Sequence, residues 1–470
     1  MDNTLQKEVV FALYFGNRGF FPEKLIASAR KEMAEAVTKA GYKYIILDEK
    51  LTRYGAVESR KEGKIYADWL AANEQNYDGV IICLPNFGDE NGAISALSNC
   101  KKPILIQAYP DEIGKMDFEN RRDSFCGKFS ISDVFYQYRI PFTLLEPHVV
   151  HPLSDTFNSN LHEFASVCKI VRGMRKFSIG VIGARTTAFK TVRYDEIALQ
   201  KYGITVETFD LSSLIDKVSK MSDDDPQVAA KIEFLNGYTN CSNVPDEKMI
   251  MLGKVFIGIE EYISEYDLDA VTIRCWDEME NILGIAPCVL LSALNDRGMV
   301  ASCEIDLNSA ICMRAVQLAT SYPAACLDWN NNYGDDPDKV ILFHCGPVAQ
   351  SLMRGKGTVT DHKMFAKVCP GTGWGSNEGR IDSFPMTFLN CKTENGKLEF
   401  YVGEGEFLDD EIEDGYFGCA GVARIEDLQP KLNKLGKNGY RHHTVIGKGH
   451  VASALIEAFS TYLNYDLLDL

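Results

Sequence analysis

Three of the eight histidines fall within the eleven residues YRHHTVIGKGH at 440–450. Neutral imidazole is the commonest protein ligand for a transition metal, so His442, His443 and His450 raise the question of which carboxylates could complete a site. The segment CWDEMENILGIAPCVLLSALNDRGMVASCEIDLNSA at 275–310 supplies candidates. Its first half places Asp277, Glu278 and Glu280 at the end of a strand-like run, LDAVTIRCW, and strand ends are where α/β proteins put their chemistry. Its second half carries Glu304 and Asp306 just ahead of an apolar helix, NSAICMRAVQLAT. Residues two apart on an extended chain face the same side, so Glu304 and Asp306 can converge, whereas the adjacent Asp277 and Glu278 cannot. An acid before a helix also caps it, which gives Asp306 a structural reading beside the chemical one. By the same alternation only one of His442 and His443 is expected to face a common ion.

Other chemistries are poorly spelled. IGVIGARTT at 179–187 sets glycines after a strand but lacks both G-x-G-x-x-G and the P-loop lysine, so a tight turn explains it better than a phosphate cradle. No G-x-S-x-G elbow for an acyl-transfer serine occurs. The net charge of −17 opposes sequence-independent binding of nucleic acid, which needs cations to displace counterions. Fourteen cysteines are scattered without a CxxC pair in a chain too long to need disulfide staples, and they read as reduced, mostly buried thiols. The N-terminus MDNTLQKEVVFALYFG has acids where a secretory leader carries positive charge. No apolar run approaches the roughly 18 residues of a membrane span. A cytoplasmic location is expected.

The elements that must position these residues alternate from the start. EVVFALYFG (8–16) reads as a strand, EKLIASARKEMAEAVTKAG (23–41) as a helix closed by glycine, and YKYIILD (42–48) as the next strand. YDGVIICLPNFG (77–88) and KPILIQAYP (102–110) continue the pattern, so residues 1–170 are expected to form a parallel-sheet α/β domain. KFSIGVIGAR, DEIALQKYG and ITVETFDL open a second such unit, expected over 171–352. Beyond it helix periodicity fades and glycine-rich alternating strands such as GKLEFYVGEGEF appear, predicting a β-rich C-terminal domain over 353–470.

Taken together, C-W-x-E, then C-E-x-D, then HHTVIGKGH resemble the L-fucose isomerase and L-arabinose isomerase superfamily, in particular its fucose-isomerase-like branch. FGNRGFFP (15–22), LPNFGDE (84–90), RRDSFCGK (121–128), GARTTAFKTVRYDE (183–196) and FHCG (343–346) extend the resemblance along the whole chain. It implies an aldose–ketose isomerase with two α/β domains and a β-rich C-terminal domain, holding a divalent metal, usually Mn²⁺, with Mg²⁺ or Co²⁺ as substitutes. Carried over residue by residue, it implies Glu278, Asp306 and His443 as metal ligands, with Glu278 and Asp306 also moving the proton. It implies substrate contacts from Arg18, His344 and Trp374, and leaves His450 a supporting role. It implies a small-molecule sugar as substrate and a homo-oligomer, trimer or hexamer, in which Arg18 serves a neighbouring site. NGYRHH replaces the family's tryptophan-containing loop, so the lining of the sugar site differs here. A sugar with an anionic or modified C6 would suit Arg18. Paired α/β domains also build sugar-binding modules, and other metal-dependent sugar-converting enzymes share parts of this pattern.

Overall fold

The computed structural model describes residues 7–470; the start of the N-terminal stretch read for a leader, residues 1–6, lies outside them. The described residues divide into two compact units, one comprising residues 7–172 with Glu457–Asn464, the other Gly173–Ile456 with Tyr465–Leu470. The first unit holds a four-stranded sheet of β1 (Val10–Phe15), β2 (Lys43–Ile46), β3 (Gly79–Leu84) and β4 (Ile104–Ala108), in the order β2-β1-β3-β4 with every pairing parallel. Strands β3 and β4 are buried along their whole length, as continuous apolar runs inside a parallel sheet should be. The helix Lys24–Lys39 turns Ile26, Ala29, Met33, Ala36 and Val37 inward, one face of a 3.6-residue repeat.

The second unit begins with the same plan. Strands β5 (Phe177–Ile182), β6 (Ile204–Phe209), β7 (Ala270–Ile273) and β8 (Val300–Cys303) form a parallel sheet in the order β6-β5-β7-β8. The strand order reverses between β5 and β7, so a crevice opens there at the carboxyl ends, the usual ligand position of open α/β sheets. Six antiparallel strands then close into a barrel: β9 (Ala324–Asn332), β10 (Lys339–His344), β13 (Phe384–Glu394), β14 (Lys397–Leu408), β15 (Cys419–Arg424) and β16 (His443–Lys448). The hairpin of β11 (Thr358–Asp361) and β12 (Trp374–Arg380) extends it beside β15, and β17 (Asp466–Leu468) lies beside β14. Closure removes the exposed edges that a glycine-rich sheet would otherwise present. The barrel takes β9 and β10 from upstream of residue 353, because a short apolar run does not reveal whether its partners will be parallel or antiparallel.

One helix ties the two layers of this unit. Leu307–Thr320 is buried at every position except its last, contacting β7 and β8 on one side and β9, β13 and β16 on the other. Most of its buried positions are apolar, and its buried Arg314 donates to Asp269 Oδ1 at 2.8 Å. Gly447 of β16 makes the close approach possible, since a Cβ there would overlap the Val316 side chain. All fourteen cysteines are free thiols, and no helix of the described residues is long and apolar enough to cross a membrane.

Candidate active site

Chemistry-bearing groups gather where β8 ends. The two residues after it, Glu304 and Ile305, have φ of 63° and 60°, a left-handed pair that L side chains rarely adopt and that costs of order 1–3 kcal/mol per residue. The turn they make drops Asp306 at the N-cap of the buried helix, where its carboxylate accepts from Ser309 N at 3.2 Å. Glu304 is directed inward, 6% exposed, and its Oε1 accepts from the Trp276 indole at 3.1 Å. Its Oε2 sits 3.2 Å from His443 Nε2 yet meets no donor at hydrogen-bonding angle among the described residues.

The barrel supplies the remaining groups through its register. His443, the first residue of β16, is paired across the sheet with Asp328 of β9, and Asp328 Oδ1 lies 3.4 Å from His443 Nε2. The other ring nitrogen is taken: His443 Nδ1 bonds Asp306 Oδ2 at 2.7 Å. Asp306 Oδ1 in turn accepts from Arg441 Nη1 at 2.9 Å, and Ser309 Oγ completes Oδ2. One acid therefore orients the imidazole and two others face its free nitrogen. His442 Nε2 stands 3.5 Å from the same Asp328 oxygen, and Asp328, His442 and His443 place donor atoms within 4.8 Å of one another. Adjacent histidines thus share one acid here, because His442 precedes the strand and is not bound by its alternation.

Electrostatics agree with the geometry. Burial pushes the Glu304 carboxyl up, and the neighbouring His443 and His344 imidazoles overcome that and hold it at about 2. Asp306 is likewise held far below the usual carboxylate range: burial opposes this, and Arg441 and His443 outweigh it. Burial opposes a charge on His443, while Cys326, then Asp306 and Glu304, raise the imidazole well above its ordinary value. A buried nitrogen that must hold a cation between two carboxylates is a place where a divalent ion can replace the proton. The donor set of hard carboxylate oxygens and one imidazole suits Mn²⁺ or Mg²⁺, and the undonated Glu304 Oε2 is an atom such an ion would satisfy.

The residues expected from the sequence separate into two groups. His443 and Asp306 belong to the cluster, although all of Asp306's hydrogen-bonding capacity there goes to His443, Arg441 and Ser309. His344 joins them: it is buried at the end of β10, its ring centre 5.8 Å from that of His443, and it shares a 4.8 Å donor group with Cys326 and His443. Glu278 is placed elsewhere. It opens the short helix Glu278–Leu283, pairs with Arg274 and lines a neighbouring cavity, because the acid that turns toward His443 comes from the end of β8, one strand over from β7. Trp374 begins β12 and packs on the core that holds Leu252 and Ile285, pinning its loop. Arg18, in the first unit, donates to Gly88 O at 2.9 Å and Glu90 Oε1 at 3.0 Å and lies over the Phe87 ring. His450 is exposed, with Nε2 3.0 Å from Gly405 O. Asp328 and Arg441 also join the cluster, and the sequence singles out neither. An ionisable residue inside the apolar run AACLDW was the available signal for Asp328.

A cavity of about 910 Å³ occupies the crevice at the β5/β7 reversal. Arg185, Arg193, Tyr194, Arg274, Glu278 and Ile305 are among its walls. It adjoins the cluster through the Glu304–Ile305 turn and through Phe189, whose ring lies 5.0 Å from Trp276 and 6.4 Å from His443.

Comparison with known proteins places this architecture. The N-terminal domain profile of fucose/sulfoquinovose isomerases matches residues 12–175, and the L-fucose isomerase C-terminal domain profile matches residues 342–470. Sulfoquinovose isomerases of Priestia aryabhattai and Priestia megaterium are each 24% identical over 458 residues, covering 96% of this chain and 97% of theirs. The sulfoquinovose isomerase of Alkalicoccus urumqiensis is 24% identical over 280 residues, 59% of this chain and 61% of its own. These matches make the protein an aldose–ketose isomerase. The chain belongs to the fucose-isomerase-like family.

Proposed function

We propose that the protein isomerises a free sugar bearing an anion at C6, sulfoquinovose being the leading candidate, at a divalent metal held by Glu304, Asp328 and His443. The observation that carries this reading is the single imidazole nitrogen, His443 Nε2, faced by two carboxylates at 3.2 and 3.4 Å. The substrate follows from the name the similar proteins carry. Mn²⁺ fits the donor set best, with Mg²⁺ or Co²⁺ as alternatives; when bound, such an ion would draw charge from O1 and O2 of the sugar as an enediol forms.

The chain's own groups do the rest. Asp306 holds the His443 Nδ1–H, which fixes the tautomer and keeps the Nε2 lone pair turned toward Glu304 and Asp328. The Trp276 indole fixes Glu304 Oε1 and leaves Oε2 free. Aldose becomes ketose when the C2 proton moves to C1 and the O2 hydroxyl proton moves to O1. Glu304 and Asp328 are the carboxylates that carry the C2 proton, a role typically worth about 10²–10⁴-fold in rate. In this proposal Glu304 and Asp328 take the proton-carrying place expected for Glu278 and Asp306. His344 and His442 line the same cluster and contact the sugar hydroxyls. A cytoplasmic location is supported by the free thiols. A homo-oligomer is supported by the exposed Phe125 and Phe129, whose rings lie 5.8 Å apart and pack on His148 in the first unit.

The test is direct. Incubated with Mn²⁺ and sulfoquinovose, glucose or fucose, the protein is expected to form ketose, to stop after exhaustive chelation, and to recover when Mn²⁺ is returned. Undiminished turnover by protein shown to be metal-free would defeat the metal reading, and tight sugar binding without turnover would favour a binding module.

A further inference from the structure

The cavity at the β5/β7 reversal holds more positive charge than its own acids answer. Arg274 pairs with Glu278, and Asp210 is occupied in capping the helix Leu211–Lys220 through Ser212. Arg185 and Arg193 have no carboxylate partner among the described residues. Arg185 donates only to the carbonyls of Thr186 and Phe189, at 3.3 and 2.9 Å, which holds the guanidinium in place without neutralising it. Arg193 is fixed at its backbone, where its carbonyl accepts from Asn308 in the first turn of the Asp306 helix. Both arginines therefore sit on one loop, 183–194, braced at one end by Phe189 against Trp276 and His443 and at the other by the helix that carries Asp306. Guanidinium is the side chain best shaped to donate to two oxygens of a tetrahedral anion at once.

We infer that this cavity is the subsite for the anionic end of the substrate, with Arg185 and Arg193 binding the three oxygens of a sulfonate carried on C6 while C1 and C2 face the His443 cluster. The assignment rests on the isomerase reading of that cluster and adds to it the residues that select the sugar. Arg18 is not needed for it, since its guanidinium already holds Glu90 and Gly88 O. The ratio of kcat/KM for sulfoquinovose over glucose reads the assignment. In the Mn²⁺ holoenzyme carrying Arg185→Ala and Arg193→Ala together, this ratio is expected to fall roughly 10²-fold, chiefly through KM for the sulfonated sugar. Arg185→Lys with Arg193→Lys should restore part of it. A ratio within about threefold of wild type, by the same measure of lost binding, overturns the subsite and leaves the isomerase standing. A second measurement needs no variant: the methyl glycoside of sulfoquinovose, which has no free C1 and cannot react, should compete with substrate, and methyl glucoside should not. Equal competition by the two glycosides overturns the subsite. Binding of the sulfonated glycoside to wild type that is lost in the double alanine variant supports it even where no sugar turns over, and then it is the isomerase reading that has failed.

Discussion

The cluster around His443 and the arginine-lined cavity share one turn, Glu304–Ile305, but follow opposite physical plans. In the cluster each charge answers another at short range behind protein: Asp306 and His443 are each 1% exposed, with partners at 2.7–3.4 Å. In the cavity Arg185 and Arg193 stand half-buried and exposed, held by carbonyls or by backbone alone. Breaking a buried pair strands a charge where water cannot reach it, whereas emptying a wet cavity lets solvent take the lost group's place. The first region should therefore respond to substitution in metal content and fold together, the second in substrate choice alone.

The largest effect should come from Glu304→Gln or His443→Ala. Either is expected to lower kcat/KM by roughly 10³-fold or more and to lower bound Mn²⁺, read by elemental analysis of purified protein. Full metal content with full activity in Glu304→Gln would erase the distinction between the regions. Next comes Asp306→Asn, which keeps the cap but weakens the hold on His443; metal affinity should drop about 10–100-fold in a titration, with some residual turnover at saturating metal. Complete inactivity at saturating metal would instead make Asp306 a direct participant. Glu278→Gln should be milder, within about tenfold in kcat/KM, because it only releases Arg274 in the cavity. A loss as deep as that of Glu304→Gln would return Glu278 to the metal.

The smallest effect is a pH dependence of stability. Glu280, buried with no hydrogen-bond partner for either oxygen among the described residues, has its carboxyl pushed from 4.5 to about 8, chiefly by burial. The folded protein then keeps a proton that the unfolded chain releases, so this contribution to stability is complete below about pH 4.5 and is lost as pH rises to about 8. Glu280→Gln should raise Tm over wild type at pH 8, by about 2–4 °C for each kcal/mol relieved, and leave it unchanged near pH 4. An equal gain at both pH values would mean the carboxyl is not the cause.

Much of this was legible in the chain. Runs such as GVIICL and the 3.6-residue spacing of Lys24–Lys39 report burial directly, and the α/β units follow from them. HHTV beside C-E-x-D located the right neighbourhood, because an imidazole and a helix-capping acid keep their local spelling. What stayed hidden was orientation. The same-face rule for Glu304 and Asp306 assumes extended backbone, and the left-handed pair at 304–305 breaks it, sending one acid to Nε2 and the other to Nδ1 of the same ring. Asp328 reaches His443 only through the antiparallel register of β9 with β16, a pairing across more than a hundred residues that no local spacing records.

That left-handed turn also bears on how such an enzyme changes allegiance. Because backbone rather than rotamer aims Glu304, the acid's direction does not depend on the side chains of Arg185 and Arg193, which meet only carbonyls or line the cavity, whereas Phe189 on the same loop packs against Trp276 and His443. Catalytic competence and sugar preference are thus separate mutational axes, and new substrates can be acquired one loop residue at a time while the chemistry stays intact.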